Sequence, residues 1–241
     1  MTLSDRPPEP RALLVAAGSV TGHDHRRAQR DGQDGFATVA TPEVAAAIVT
    51  DGCSSGRASE VGARLGAAWI AALIEEHLPG ARTVEEARAA AQAIVDALVA
   101  RLRGLDLGPP VASEMLLFGF LAAAVTRDVA IVFGVGDGLA HIDGAVTVID
   151  PGPDNAPVYP AYALMGASIT PRILFAGPAA GVHTLAIATD GVDEATLAAL
   201  AADPRLDANP SLLRKRLVVL SDQGMFHDDA TVAIVRRRAP S

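Results

Sequence analysis

Apolar runs that end on an acidic residue recur along this chain, and they constrain its fold more than any other feature. Residues 45–52, AAAIVTDG, stop at Asp51 and a glycine, and residues 185–191, LAIATDG, repeat the pattern. The acids of the four copies are Asp51, Asp137, Asp190 and the pair Asp228-Asp229, which precedes its run. Each run predicts a strand buried on both faces with an acid at the sheet edge. Asp-Gly is also a common turn dipeptide, so one copy alone would indicate only a turn.

Composition limits the classes of protein to which the chain can belong. Half of its 241 residues are hydrophobic and a fifth are charged, so we expect one domain over residues 1–241 with loose ends at 1–10 and 237–241. The net charge of −8 argues against a nucleic-acid partner, and the basic run 236–238 is interpreted as solvated tail charge. The apolar runs are too short for a membrane span and no targeting segment is evident, so a cytoplasmic protein without a membrane partner is expected.

Strands and helices are predicted in the order strand, helix, helix, strand. The predicted strands are 13–17, 36–40, 44–49, 115–126, 129–135, 145–149, the run before Asp190, and 230–235. The first helix after Asp51 is expected to bury Val61, Leu65, Ala68, Trp69 and Ala72. The second begins with a capping box at Thr83 and Glu86 and ends before Pro109-Pro110.

The remaining segments are assigned from turn and capping signals. Residues 18–35 and 150–160 are predicted to be loops, and Asp143-Gly144 a two-residue hairpin turn. Asp193 is expected to cap a helix that ends near Ala202, and Asn209-Pro210 to begin another.

The candidate functional residues are carboxylates with few accompanying histidines or cysteines. Oxygen donors of this kind suit hard cations such as Mg²⁺ or Mn²⁺. Acids packed together would repel one another, whereas bridged cations remove that cost and generate hydroxide near neutral pH, which suits phosphoester hydrolysis. The single cysteine, Cys53, excludes an intramolecular disulfide, and we expect a structural role because neighbouring carboxylates should raise its thiol pKa.

The order and spacing of five short motifs resemble the metal-dependent protein phosphatases of type 2C, in particular a compact bacterial branch. The motifs are Gly22-His23-Asp24-His25 with Gln33-Asp34-Gly35-Phe36, Val49-Thr50-Asp51-Gly52, Gly136-Asp137-Gly138, Ala188-Thr189-Asp190-Gly191, and Asp228-Asp229-Ala230-Thr231-Val232. The resemblance implies an α+β fold, a four-layer αββα sandwich of two antiparallel sheets flanked by helices. The implied activity is hydrolysis of serine and threonine phosphomonoesters by metal-activated water. The partners it implies are a phosphorylated protein substrate and a cognate kinase.

The resemblance also implies a role for each acid. Asp51 would bridge two Mg²⁺ or Mn²⁺ ions and the carbonyl of Gly52 would bind one of them. Asp190 and Asp228 would complete the other ion's site, and Asp137 would hold a looser third ion. The implied catalytic residues are Asp34, Asp51, Asp190 and Asp228, with Asp34 acting through a water molecule on the metal. Asp229 stands where the family usually has Asn, and is given a supporting role.

One departure from the family pattern concerns phosphate binding. The family usually places an arginine five residues before the position of Asp34, and this chain has Gln29 there. His25, Arg27 or Arg30 would have to substitute. The substitution motivates an alternative function, a weakly active or inactive regulatory binding module that keeps the phosphatase fold.

A zinc hydrolase built on His23-Asp24-His25 is a further alternative. Such enzymes need additional histidines at ligand spacing. His77, His141, His183 and His227 show no such spacing, so the sequence favours the carboxylate site.

Overall fold

The computed structural model describes residues 13–152 and 156–238. The strands are β1 (Leu13–Val20), β2 (Gly35–Ala40), β3 (Val44–Gly52), β4 (Phe118–Thr126), β5 (Val129–Val135), β6 (Gly138–Ile142), β7 (Ala145–Ile149), β8 (Arg172–Pro178), β9 (Thr184–Ala188) and β10 (Ala230–Arg237). The helices are α1 (His23–Arg27), α2 (Ser59–His77), α3 (Val84–Gly104), α4 (Pro109–Met115), α5 (Glu194–Ala201), α6 (Arg205–Ala208) and α7 (Leu212–Asp222). Short 3-10 helices cover Pro160–Met165 and Ala179–Gly181.

The strands in these ranges form two five-stranded antiparallel sheets, which pack face to face as an αββα sandwich. The strand orders are β1-β10-β9-β6-β7 and β2-β3-β4-β5-β8. Apolar side chains of both sheets, among them Val49, Leu121 and Ile187, fill the space between them. Helices α2 and α3 cover the outer face of the second sheet, and α5 and α7 cover the first. The predicted fold class is therefore confirmed.

Several local predictions are also confirmed. The capping box at the start of α3 is present, because the Thr83 side chain accepts from the Glu86 amide while the Glu86 carboxylate accepts from the Thr83 amide. The hairpin between β6 and β7 turns at Asp143 and Gly144, both with positive φ. Asp193 caps α5 by accepting a 2.7 Å hydrogen bond from the Thr196 amide. Local sequence signals therefore fix these turns and helix ends.

The buried face of α2 differs from the one predicted. Val61 is 44% exposed and Ala68 and Ala72 are also exposed, whereas small residues at other positions face the sheet. The buried residues of α2 are Ser59, Gly62, Ala63, Gly66, Ala67, Ile70, Ala71, Leu73 and Ile74. A Cβ atom on Gly62 would lie 2.0 Å from the Met115 carbonyl oxygen, so the helix packs closer than a larger side chain permits. The prediction was wrong because close approach, rather than side-chain size, selects this face.

Some elements arise where none was predicted. The supposed loop 18–35 begins with the end of β1, whose residues pair with β10 as far as Val20, and it also contains α1. Pro109-Pro110 begin α4 instead of only ending the helix before it, since proline tolerates the first helical turn. Strand β4 accordingly starts at Phe118 rather than 115. No element had been assigned to β8 or α6, and α7 begins at Leu212, just after the predicted start.

The interpretation of the basic run 236–238 as solvated tail charge is wrong for Arg236 and Arg237, whereas Arg238 is exposed. Arg236 and Arg237 belong to β10, and the Arg236 side chain is buried. Its guanidinium donates to the carbonyls of Ala201 and Asp203 and to the Asp207 carboxylate, at 2.9, 3.0 and 2.7 Å. Arg236 therefore ties the last strand to the end of α5. The expected loose end 1–10 and residues 239–241 lie outside the described residues.

Candidate metal centre

The sheet topology brings the acid-bearing strand ends to one end of the sandwich. β3 and β5 run in the same direction on either side of β4. Asp51, near the end of β3, and Asp137, just after β5, therefore lie at the same end of the sheet. In the other sheet β9 ends beside the start of β10, which brings Asp190 near Asp228. Because β2 is antiparallel to β3, Asp34 also arrives at this end.

These strand ends enclose a strongly acidic cavity of about 290 Å³. Its described lining residues are His25, Gln33, Asp51, Gly52, Cys53, Ser54, Ser55, Asp137, Pro157, Tyr159, Asp190, Asp228 and Asp229. The structure therefore brings together Asp51, Gly52, Asp137, Asp190 and Asp228, the five residues proposed from the sequence as metal ligands. In this lining His25 is the one basic side chain, so the acids face little compensating positive charge.

Asp34 lies behind the cavity and is fixed by two threonines. The hydroxyls of Thr189 and Thr231 both donate to its Oδ2, at 2.8 and 2.7 Å. Burial raises the pKa of Asp34 to about 8, against the lowering effect of these hydrogen bonds. Asp34 is thus a buried carboxyl group with a set orientation.

Asp51 and Asp190 are close enough to perturb each other. Burial raises the pKa of Asp51 well above its usual range, and the charges of Asp34, Asp190 and Asp137 raise it further. Burial also raises the pKa of Asp190, partly opposed by its hydrogen bond with Asp51. A carboxyl group whose pKa is raised keeps its proton to a higher pH. Protons therefore limit the negative charge of these groups when no cation balances it.

The donor set fits divalent cations such as Mg²⁺ or Mn²⁺. The carboxylates offer hard oxygen ligands, and Gly52 lies beside them at the end of β3. Burial, followed by the charge of Asp190, also raises the pKa of the half-buried Asp137. Cations between these groups would remove the repulsion that raises the pKa values.

Asp229 anchors three backbone segments around the cavity. It is 3% exposed, and its Oδ1 and Oδ2 accept hydrogen bonds from the amides of Gly22 and Gln33, at 2.7 and 2.5 Å. Its own amide donates to Asp228 Oδ1 at 2.8 Å. A Cβ atom on Gly22 would lie 2.2 Å from the Asp228 carbonyl carbon, so only glycine permits this approach. Asp229 therefore holds the segments that carry His25, Asp34 and Asp228.

The three candidate phosphate-binding residues differ in their position relative to the acidic cavity. His25 lines the cavity, with its Nδ1 2.9 Å from Asp229 Oδ2 and 3.8 Å from Asp228 Oδ1. Arg27 is exposed, and the Arg30 guanidinium donates to the Gly56 carbonyl at 3.0 Å. Neither arginine is among the described residues that line the cavity. Of the three candidates, His25 is therefore the one that lines the cavity in the described part of the chain.

Gln33 is a site residue that sequence reasoning missed. It is 2% exposed, and its Nε2 donates to the carbonyls of Cys53 and Gly56 and to Ser59 Oγ. Its Oε1 is buried and has no hydrogen-bond partner in the described part of the chain. The signal available in the sequence was its position directly before Asp34, but neither its burial nor its partners could be inferred from that position.

The pKa of the Cys53 thiol shifts in the direction opposite to the one predicted. Burial raises its thiol pKa, but hydrogen bonds from Ser55, Tyr159 and nearby backbone amides outweigh burial, so the net shift is downward. The thiol lies 3.1 Å from Ser55 Oγ. The expected upward shift was wrong because these hydrogen bonds favour the thiolate.

The histidines of the His23-Asp24-His25 motif do not converge. The side chain of His23 is 56% exposed and contacts Asp24, whereas His25 turns towards Asp228 and Asp229. This arrangement gives no support to a zinc site built on both histidines.

A comparison with protein-family models identifies the family to which the chain belongs. The model described as Protein phosphatase 2C matches residues 21–227. The chain belongs to the protein phosphatase 2C family. The match includes Asp34, Asp51, Asp137 and Asp190 and ends directly before Asp228. Members of this family use divalent metal ions, in agreement with the acidic cavity.

Solved structures of bacterial phosphatases share the protein phosphatase 2C fold with this chain. A serine/threonine phosphatase of S. agalactiae has a TM-score of 0.68 and 14% identity, and the match covers 93% of this chain and 99% of that one. Stp1 from Staphylococcus aureus has a TM-score of 0.63 and 13% identity, with 94% and 96% covered. The catalytic domain of PstP, solved with two manganese ions, has a TM-score of 0.57 and 17% identity, with 94% and 99% covered.

Two further observations concern curated proteins and membrane-spanning helices. No curated protein matches the sequence. No helix in the described ranges is both long and apolar enough to cross a lipid bilayer.

Proposed function

We propose that this member of the protein phosphatase 2C family is a Mg²⁺- or Mn²⁺-dependent phosphatase of phosphoserine and phosphothreonine in proteins. The observation that carries the proposal is the convergence of four acids from separate strand ends on one cavity: Asp51, Asp137, Asp190 and Asp228. The proposal treats residues 1–241 as one catalytic domain. It places the activity in the cytoplasm, where a cognate kinase would supply the phosphorylated protein.

Each acid has a proposed share in holding the ions. Asp51 would bridge two ions, with the Gly52 carbonyl on one and Asp190 and Asp228 on the other. Asp137 would hold a third ion more loosely. Bound ions would supply positive charge for the phosphoryl group and would acidify a water molecule.

The chain's own groups orient the reactants and manage protons. The hydrogen bonds from Thr189 and Thr231 fix Asp34, and both go to Oδ2, which leaves Oδ1 without a donor among the described residues. In the metal-free protein, a carboxyl group whose pKa is raised to about 8 holds a proton near neutral pH, and Oδ1 is the atom available for it. Asp34 is thus suited to hold a proton behind the site.

A second cavity supports a peptide rather than a small substrate. It also measures about 290 Å³ and shares Asp137 and Asp190 with the first. Leu139, Val148 and Val192 give it apolar walls. Side chains that flank a phosphorylated residue could be buried there while the phosphoryl group occupies the acidic cavity.

A regulatory binding module remains the second candidate function, favoured by one observation. Gln29 replaces the usual arginine, and neither Arg27 nor Arg30 lines the acidic cavity in the described chain. A site that binds metal without a guanidinium to orient the phosphoryl group would turn over slowly.

Phosphate release distinguishes these two functions. The purified chain is incubated with an aryl phosphate, and separately with a phosphothreonine peptide, with Mn²⁺ and after exhaustive chelation. The proposal expects release that requires metal and that persists in Cys53→Ser. Metal binding without measurable turnover would favour the binding module, and turnover that survives complete metal removal would refute the proposed mechanism.

A further inference from the structure

The side chains of His25, Asp228 and Asp229 form a compact cluster at one edge of the acidic cavity. One potential ligand atom from each residue lies within 4.8 Å of the other two. The Nδ1 of His25 is 2.9 Å from Asp229 Oδ2 and 3.8 Å from Asp228 Oδ1. Two ligands at about 2.0–2.2 Å from one ion are roughly 2.8–4.4 Å apart, so both measured distances suit a shared ion.

The imidazole of His25 lacks the partner that a buried nitrogen normally has. Its side chain is 11% exposed and its Nδ1 is buried. The short contact with Asp229 does not have hydrogen-bond geometry, so the in-plane lone pair of Nδ1 is not directed at that oxygen. Buried nitrogens without partners are rare in proteins, and one beside two carboxylates indicates a bound group.

A second buried atom in the same cavity lacks a partner. Gln33 is 2% exposed, and its backbone amide donates to Asp229 Oδ2. Its side-chain Nε2 donates to three oxygen atoms. Those three acceptors set the orientation of the side-chain amide of Gln33. Its Oε1 is buried and has no donor among the described residues. An acceptor of this kind suits a metal ion or a water molecule that the ion holds.

We infer that His25, Asp228 and Asp229 hold one divalent transition-metal ion, with the imidazole of His25 as a nitrogen ligand. The inference rests on the proposed function, because the ion would be one of those in the same centre. Asp229 is already fixed by two amides, and Asp228 is partly exposed, so the two acids and the ring form a preorganised set. His25 then serves the metal rather than the phosphate.

A nitrogen ligand changes which metal the centre prefers. Carboxylates alone suit Mg²⁺ and Mn²⁺ alike, whereas imidazole favours transition metals over Mg²⁺. The histidine should therefore shift this position towards Mn²⁺. Loss of the ligand should lower Mn²⁺ affinity about tenfold or more, since removal of residues that only support metal ligands already costs about 10- to 100-fold. Mg²⁺ affinity should fall by less.

Pulsed electron paramagnetic resonance of the Mn²⁺-loaded full-length protein tests the inference directly. A bound imidazole gives a ¹⁴N coupling to the Mn²⁺ spin, and we expect this coupling in the unmodified protein. It should vanish in His25→Gln and persist in His23→Gln, a matched control on the same helix whose side chain is 56% exposed. Calorimetric titration with Mn²⁺ and with Mg²⁺ then gives the change in selectivity.

The outcomes separate this inference from the proposed function. Mn²⁺ binding without ¹⁴N coupling, or coupling that survives in His25→Gln, overturns the inference but leaves the phosphatase proposal intact. His25 would then only pair with Asp229. Failure to bind any Mn²⁺ overturns both. Absence of the coupling in the unmodified protein overturns the inference whether or not His25→Gln folds, and His25→Asn is the second variant if His25→Gln folds poorly.

Discussion

At the scale of single residues, the centre consists of carboxyl groups close to one another, of which Asp34 is buried while Asp190 and Asp228 reach solvent. Burial raises the pKa values of Asp34, Asp51 and Asp190, and their mutual repulsion adds to the effect at Asp51. Such an arrangement costs stability when no cation is present. The same repulsion is the source of affinity for a divalent ion, because the ion removes it.

The exchange of Asp51 for asparagine should separate stability from function. Asp51→Asn removes an ionisable group that neighbouring acids repel but keeps the shape, so the metal-free variant at pH 8 should melt no lower than the unmodified protein. Its phosphate release should fall about a hundredfold or more, as loss of a main electrostatic element in a site typically does. Thermal melting and phosphate release measure the two effects.

Asp137→Asn is the matched control for this prediction, because Asp137 is proposed to hold only the loosely bound third ion. Its phosphate release should fall less, and excess Mn²⁺ should partly restore it. Equal losses in the two variants would contradict the assignment of Asp51 as the shared ligand.

Site residues that stand at the ends of apolar runs could be predicted from the sequence. Site residues whose burial or orientation depends on tertiary packing could not. Asp51, Asp137 and Asp190 stand at the ends of apolar runs, so their convergence could be foreseen. The burial of Gln33 could not, because it depends on acceptors in a loop about 20 residues further along the chain. The orientation of His25 towards Asp229 joins residues from opposite ends of the sequence.

At the scale of elements, close packing of α2 on its sheet positions the loop that follows Asp51. Small residues allow the approach, and a Cβ atom on Gly66 would lie 2.4 Å from the Phe118 ring. The periodicity of α2 could not select this face, because the helix has apolar residues on more than one side. A capping box or a hairpin turn is specified locally, whereas a buried face is specified by the surface opposite it.

Gly62→Ala should destabilise the protein despite the higher helix propensity of alanine. The new methyl group would meet the Met115 carbonyl, and overpacking of this kind costs about 1–3 kcal/mol, against a propensity gain of about 1 kcal/mol. Gly104→Ala in α3 is the control, because a Cβ atom there meets nothing within 4 Å. Denaturant unfolding compares the two. A stabilised Gly62→Ala would show that α2 does not pack as described.

Arg236→Ala should loosen the junction between β10 and α5. The change leaves the Asp207 carboxylate and two carbonyls without their donor, so we expect a loss of about 2–3 kcal/mol in unfolding free energy. The exposed Arg238, changed to alanine, should have little effect. Equal stability of the two variants in urea would restore the interpretation of Arg236 as tail charge.

At the scale of the whole molecule, stability, protons and metal are linked through the acidic cavity. The folded metal-free chain holds protons on carboxyl groups that lose them near pH 4 in an unfolded chain. Folding and metal binding therefore make opposite demands on the same groups, because the metal requires the deprotonated form.

The stability of the metal-free protein should fall as the pH rises from about 5 to 8. The pKa of Asp34 is about 8 in the folded state and about 4 when unfolded, so the folded chain binds more protons throughout this window. Mn²⁺ at a hundredfold excess over its dissociation constant should add about 2.7 kcal/mol and flatten the dependence. Urea unfolding at several pH values measures both effects, and Asp34→Asn should reduce the slope. A metal-free stability that rises with pH would contradict the raised pKa.

The central claim is that the strand-end acids form a metal centre, and counting bound ions tests it most directly. Equilibrium dialysis of the chelated, folded protein against Mn²⁺ should find tightly bound ions in the unmodified chain. Asp51→Asn should lose them while it remains folded, because it removes the ligand that the ions are proposed to share. Asp137→Asn should retain the tight ions. Absence of tight Mn²⁺ binding in the unmodified chain, or unchanged binding in Asp51→Asn, would contradict the claim.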